Sequence, residues 1–269
     1  MQTDPLSTPE AWNLVAEGYV TELQPMFERY ALDALALANP PAGARVLDVA
    51  TGPGTLALAA IEAGCRVTAV DFSEGMLEQL RQACALRGIS DIEIRHGDGQ
   101  ALEFADGTFD YAFSMFGLMF FPDRAAGFRE LRRVLRPGGR AVIASWAPRT
   151  EVPLLDAFEA ALRQQAPTPS SPATALPLSD PEVVRGEMSS AGFAQVEVHR
   201  VAHEAEVPSV AAFWESNQSS SARVALLRQA VEPTEWERIS ARACARVEAE
   251  LGPGPHILRM PAFLTIGTR

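Results

Sequence analysis

Short apolar strands alternate with helices across residues 45–146, glycine-bearing turns join them, and the chain holds enough apolar sequence for a large core. Together these predict an α/β fold with a mostly parallel sheet covered by helices on both faces. At 269 residues, 47% hydrophobic and 21% charged, the chain has the balance of a globular protein with room for one large domain.

Residues 1–40 read as two helices. Thr8-Pro9-Glu10 is a start signal, with a capping hydroxyl, proline at the first helical position and an early acid. Pro25 opens the second helix, which carries Met26, Tyr30 and Leu37 until Asn39-Pro40-Pro41 ends it. Strands follow at 45–50 (RVLDVA), 66–71 (RVTAVD), 92–96 (IEIRH), 109–115 (FDYAFSM) and 139–146 (GRAVIASW). Helices lie between them at about 54–63, 74–87 and 122–135, the second stopped by Gly88 and the third by Pro137-Gly138-Gly139. After Trp146 come a helix at about 153–165 and a proline-rich irregular surface loop, QQAPTPSSPATALPLSDP. A helix at 180–191, capped by Ser179 or Asp180 and stopped by Gly192, leads to a strand at 194–207. Helical stretches at about 208–217, 222–231 and 233–251 precede a seventh strand within 256–269.

Composition excludes several chemistries. The chain has no lysine: all 23 basic residues are arginine. It therefore cannot form a lysine Schiff base or supply the lysine of a Walker A loop or a protein kinase. A net charge of −11 disfavours a nucleic-acid partner, and the densest basic group, Arg132, Arg133 and Arg136, sits at a helix end where cations are favoured anyway. Cys65, Cys84 and Cys244 are too few and too far apart for a thiolate metal site, and the four histidines form no HExxH, so no metal is expected. His199 and His203 share a strand face with Glu197 and read as solvated. MQTDPLSTPE lacks the order of a signal peptide and no apolar run is long enough to span a membrane, so a cytoplasmic protein is expected.

The chemistry is concentrated at the strand ends. Asp48-Val49-Ala50-Thr51-Gly52-Pro53-Gly54-Thr55 puts glycines where the first strand turns into a helix, letting backbone approach a ligand at the carboxyl edge of the sheet. Asp71, nineteen residues beyond Gly52, ends the second strand, where a carboxylate can accept both hydroxyls of a ribose. Gly52, Gly54 and Ala57 also satisfy the GxGxxA dinucleotide fingerprint, so a nicotinamide-dependent oxidoreductase stays open. Four more features bear on the choice: Asp48 inside the first strand, Gly97-Asp98-Gly99-Gln100 after the third, the aromatic and methionine-rich FDYAFSMFGLMFFPD, and LRRVLRPGGR before the fifth strand.

In that order these motifs resemble the class I S-adenosylmethionine-dependent methyltransferases, especially the subgroup typified by ubiquinone- and menaquinone-biosynthesis enzymes. The likeness is strong over 45–146 and moderate over 179–207. It implies a Rossmann-like, doubly wound, seven-stranded sheet with N-terminal lid helices (1–40), a cofactor-binding core (41–146), helical cap elements (147–192 and 208–255) and final strands (193–207 and 256–269). It also implies S-adenosylmethionine as cofactor and methyl transfer to a small organic acceptor. Ala50, at the first glycine position of the family's DxGxGxG, and Gly52 would face the methionine moiety, with Asp48 at the head of the motif. Asp71 would hold the ribose, Phe72 and Met76 would flank the adenine, and Asp98 and Gly99 would hold its edge. Ser114 and Met115 would face the sulfonium. Trp12, Tyr19, Phe116, Met119 and Trp146 would bind the acceptor, although Met76, Met115, Phe116 and Met119 fit core positions as readily.

No paired carboxylates or Cys/His set are visible, so catalysis by positioning and water exclusion is expected. If a proton acceptor is needed, His256 in the turn GPGPHIL comes first and the Tyr19 hydroxyl second. A non-catalytic nucleoside-binding relative remains a further reading. The acceptor, the atom methylated and the oligomeric state are not fixed by these motifs.

Overall fold

The computed structural model describes residues 4–165 and 177–269, so most of the proline-rich loop lies outside the described residues. Helices α1 (Pro9–Asn13) and α2 (Ala16–Gly18) run through a π-helical turn (Tyr19–Leu23) into α3 (Gln24–Ala38), which Asn39 ends in a left-handed conformation. The alternating region comprises β1 (Arg45–Val49), α4 (Thr55–Glu62), β2 (Arg66–Asp71), α5 (Glu74–Arg87), β3 (Ile92–His96), β4 (Phe109–Met115), α6 (Arg124–Val134) and β5 (Leu135–Trp146). Then follow α7 (Pro153–Arg163), α8 (Pro181–Ser190), β6 (Ala194–Val207), α9 (Val210–Ser220), α10 (Ala222–Gln229), α11 (Pro233–Leu251) and β7 (His256–Thr268). Side-chain caps fix several helix starts: Ser73 accepts from Met76 N–H, Asp123 from Ala126 N–H and Asp180 from Glu182 N–H. Thr8 does not cap α1 as expected, because its hydroxyl donates to the Pro5 carbonyl instead.

The seven strands are ordered β3-β2-β1-β4-β5-β7-β6, parallel through β5 and antiparallel on both sides of β7. Strand order reverses between β1 and β4, which opens a crevice at the carboxyl ends of the central strands. β5 begins four residues before the expected position. Its ladder jumps from Phe109 opposite Leu135 to Tyr111 opposite Arg140, so Pro137-Gly138-Gly139 forms an irregularity within the strand. α6 accordingly stops at Val134.

Among the described residues, three apolar clusters hold the fold. The main one lines both sheet faces, with Leu47, Phe113, Phe128 and Leu131 fully buried. A second joins α7, α9, α10 and α11 through Phe158, Trp214 and Trp236, the first two rings stacked at 5.2 Å. The third places Ala11, Val15 and Ala16 between Met76 on α5 and Ala222 on α10. The N-terminal helices are thus wedged between the sheet's helices and the cap. α8 was expected in the cap, but Val184 and Met188 bury against the main core, so it covers the sheet.

The arginines of the 132–136 segment are spent internally. Arg132 donates to the Gly192 carbonyl, Arg133 to Glu130, Asp106 and the Phe104 and Leu102 carbonyls, and Arg136 to Asp110. His203 is not solvated as expected: its Nε2 lies 2.8 Å from Asp33 and its ring meets Tyr30 edge-on at 4.6 Å. His199 pairs with Glu197 at 3.3 Å.

Gly18 is where the lid touches the cap, since a Cβ there would fall 2.1 Å from the Ser219 carbonyl oxygen. Backbone cannot yield as a side-chain tip can, so Gly18→Ala should cost about 1–3 kcal/mol locally. Hydrogen exchange is expected to speed up over residues 9–23 while the amides of β1, β4 and β5 keep their protection.

Candidate active site

One cavity of about 850 Å³ runs from the glycine turn after β1 to the cap helices. Each central strand delivers residues to it at its carboxyl end. β1 contributes Ala50 and Gly52, β2 Asp71 and Phe72, β3 Asp98 and Gly99, β4 Met115 and Phe116, and β5 Trp146. Trp12 and Tyr19 close it from the lid, and Met76 lines it while packing in the lid cluster. Twelve of the sixteen residues singled out in the sequence are therefore gathered around one space.

Four do not line it. Asp48 lies beneath the turn, 1% exposed, where Thr51 donates to its Oδ2 at 2.6 Å. Ser114 is fully buried, its Oγ accepting the Leu118 N–H at 3.2 Å. Met119 is a core side chain in the 3-10 turn, Leu118–Phe120, that follows β4. His256 opens β7 and turns its Nε2 back to the Gly252 carbonyl at 3.1 Å, so the turn does not carry it into the cavity.

The turn has an unusual backbone. Ala50 adopts φ 55°, a left-handed conformation that costs an alanine about 1–2 kcal/mol. Its Cβ occupies the space beside Gly117, where a second Cβ would fall 2.3 Å away. Phe116 is also left-handed at φ 60°, which turns its ring from the end of β4 toward Trp146, stacked at 3.9 Å. Phe27 meets Phe116 and Trp146 edge-on at 5.1 and 5.4 Å, and Tyr19 leans on Phe27 at 5.4 Å. An aromatic box thereby forms over the ends of β4 and β5. Phe27 and Met26 line the cavity from α3, and no sequence motif pointed to either.

Asp71 bridges two elements of the site, the glycine turn and the head of α5. Its Oδ2 accepts the Gly52 N–H at 2.7 Å and its Oδ1 the Ser73 N–H at 2.8 Å. Ser73 donates in turn to Asn13 Oδ1 at 2.8 Å, and Asn13 also accepts the Gly75 N–H. Asn13 thus latches the lid to α5, a role no sequence motif signalled. Burial pushes the Asp71 carboxyl up to about 6 despite these donors. Burial, reinforced by the Asp71 charge, pushes Asp48 up to about 7. Asp48 Oδ1 has no hydrogen-bond partner among the described residues. Burial and the Asp71 charge also raise the Tyr19 hydroxyl, which stays protonated at neutral pH. Neither Asp48 nor Asp71 forms an ion pair among the described residues, although the charge of His96 favours the ionised Asp71.

A methyltransferase-domain family profile matches residues 46–139. The chain is 38% identical over 174 residues to the demethylmenaquinone methyltransferase of Clavibacter sepedonicus, spanning 60% of this chain and 69% of that relative. It is 39% identical over 109 residues to the enzyme of the same name from Corynebacterium kroppenstedtii, 40% of this chain and 44% of the relative. Apart from the first, the chain spans about half the length of the curated relatives it matches. Among solved structures, the YcgJ protein of Bacillus subtilis superposes with a TM-score of 0.58 at 19% identity, covering 90% of this chain and 98% of that one. Phosphoethanolamine N-methyltransferase 2 of Haemonchus contortus, solved with S-adenosyl-L-methionine, gives 0.54 at 18% identity, covering 90% and 52%. At such identities the structures speak for the fold alone. An antiparallel β7 between β5 and β6 likewise departs from the 3-2-1-4-5-6 order of dinucleotide-binding folds. From the sequence relatives and the family profile, the chain belongs to the class I S-adenosylmethionine-dependent methyltransferases, in the menaquinone-methyltransferase-like subgroup, and uses S-adenosylmethionine as its methyl donor.

Proposed function

We propose that the cavity holds S-adenosylmethionine at its glycine-turn end and a small organic acceptor at its aromatic and cap end, in a cytoplasmic enzyme. The observation that carries this reading is the meeting of three successive strand ends, with Asp71 and Asp98, on the same cavity as the aromatic box. The residues present fit the cofactor. Asp48 and Asp71 are buried carboxylates that form no ion pair among the described residues, and the cofactor is cationic. Asp71, already accepting two backbone N–H groups, keeps lone pairs on both oxygens for the ribose hydroxyls. Phe72 and Met76, which line the cavity, would flank the adenine, and the Asp98–Gly99 turn would meet its edge.

When bound, the cofactor supplies a methyl group already activated on a sulfonium. The chain's own work is then alignment and exclusion of water. Phe116, Trp146 and Phe27 wall the strand-end part of the cavity, where aromatic faces favour a cation. Tyr19 serves as a neutral hydroxyl beside Asp71 rather than as a base, because its proton is held. The arginines of the 132–136 segment are bonded within the protein, which supports a small molecule over a nucleic acid. Three free thiols fit a reducing compartment.

Asp71→Ala removes two charged hydrogen bonds to the ribose, about 1.5–3 kcal/mol each before compensation. Calorimetry with S-adenosylhomocysteine is expected to show at least a hundredfold weaker binding, with Asp71→Asn intermediate; unchanged affinity would refute this placement. Incubating the protein and labelled S-adenosylmethionine with cell extract, followed by mass spectrometry, should reveal a small metabolite that gains the label.

The raised carboxyls set a pH dependence. Asp48 and Asp71 titrate at about 7 and 6 in the folded chain, against about 4 when unfolded. The native state binds more protons in between, so ligand-free stability is greatest at the acid end of that window and falls as pH rises toward about 7. Asp110, held down to about 2 against burial by Arg45 and Arg136, acts in the opposite sense only at lower pH. Calorimetric melting between about pH 5 and 8 should show this decline, and Asp48→Asn should flatten most of it.

Catalysis by positioning has its own signature. In single-turnover assays with the acceptor so found, Phe116→Ala should slow methyl transfer more than His256→Ala. Tyr19→Phe should fall short of the hundredfold or greater loss that removing a general base brings.

A further inference from the structure

We propose that the methyl acceptor is an organic anion, an apolar body carrying an oxyanion, and that Arg223 and Arg149 hold its charge at the cap end of the cavity. The inference rests on the acceptor reading above and adds the chemical class. The walls there are apolar: Leu155, Phe158, Leu162, Trp214 and Val224. Two guanidiniums interrupt them, Arg149 from the turn after β5 and Arg223 from the first turn of α10.

Their surroundings leave positive charge unspent. Arg149, 17% exposed, pairs with Glu159, which is equally buried. Arg223 is half-buried and makes no ion pair or hydrogen bond among the described residues. Arg163, exposed on α7, adds its charge to the field at Arg149, and Asp156 opposes it. Three guanidiniums thus face two carboxylates. Of the cavity's other acids, Asp71 and Asp98 stand at the strand ends, and Glu22 and Glu206 are exposed to solvent. Burial, followed by the charges of Arg223 and Arg163, pulls Arg149 down to about 10, a shift that a bound anion would reverse. A guanidinium facing apolar walls without a partner is costly, and a planar fork of donors suits a carboxylate, sulfonate or phosphate.

The test uses two fluorescent probes sharing one ring system: anilinonaphthalene sulfonate, an aromatic anion, and phenylnaphthylamine, its neutral counterpart. Each is titrated into full-length protein saturated with S-adenosylhomocysteine. The anion should bind tighter by a factor of about ten to a hundred, the gain of charge-assisted hydrogen bonds. Arg223→Gln should bring the two probes to near parity with unchanged S-adenosylhomocysteine affinity, and Arg223→Lys should keep most of the preference. Equal binding of both probes by the wild type, or a preference that survives Arg223→Gln, would overturn the proposal. Anion preference without any binding of S-adenosylhomocysteine would keep the anion site and refute the cofactor reading alone.

Discussion

The Asp71 carboxylate is the joint on which the site is assembled. One oxygen fixes the Gly52 turn after β1 and the other fixes Ser73 at the head of α5. Ser73 then caps α5 through Met76 N–H and reaches Asn13 in the lid. The lid in turn abuts α9 at Gly18. A single buried acid therefore ties sheet, first-layer helix, lid and cap together. Its cost is the burial of negative charge beside Asp48, paid in raised proton affinity and lowered by any cation that enters.

Strain is concentrated at the same edge. Ala50 and Phe116 both hold left-handed backbone, and Gly117 leaves room for the Ala50 methyl. Such conformations persist only where surrounding contacts over-determine them. Here the contacts are the stacked Phe116 and Trp146 rings, with Phe27 and Tyr30 edge-on to both. The strained backbone and the aromatic box are one arrangement: relaxing Phe116 would turn its ring out of the stack.

The cap has its own apolar cluster, built on Phe158, Trp214 and Trp236, apart from the sheet's core. The glycine-turn end of the cavity is lined largely by strand ends fixed by backbone pairing, whereas its cap end is lined by helices held by side-chain packing. Substitutions on the second set can change the cavity's shape and charge without loosening the glycine turn.

The alternating strands, the glycine turn, Asp71, Asp98 and the aromatic run were legible because each depends on local pattern: period, turn chemistry and position at a strand end. Twelve of the sixteen residues named from the sequence line the cavity, and Trp12, Tyr19, Phe72 and Met76 among them were named through the family resemblance rather than from local pattern. The misplacements have one physical source. Asp48 and Ser114 lie at the right strand ends and Met119 in the turn after β4, but all three point inward, and His256 bends back onto Gly252, which spacing along the chain does not encode. α8 reads from sequence as a helix, but only packing assigns it to the sheet rather than the cap. Asn13, Phe27, Arg149 and Arg223 belong to no motif and meet the site only because the lid and cap fold over one edge of the sheet. The sequence by itself determined the fold class and the glycine-turn edge of the sheet, since strands and turns are written in neighbouring residues. Tertiary structure alone decided how lid and cap close over that edge and bring Phe27, Arg149 and Arg223 to the cavity, because contacts between distant segments are set by packing.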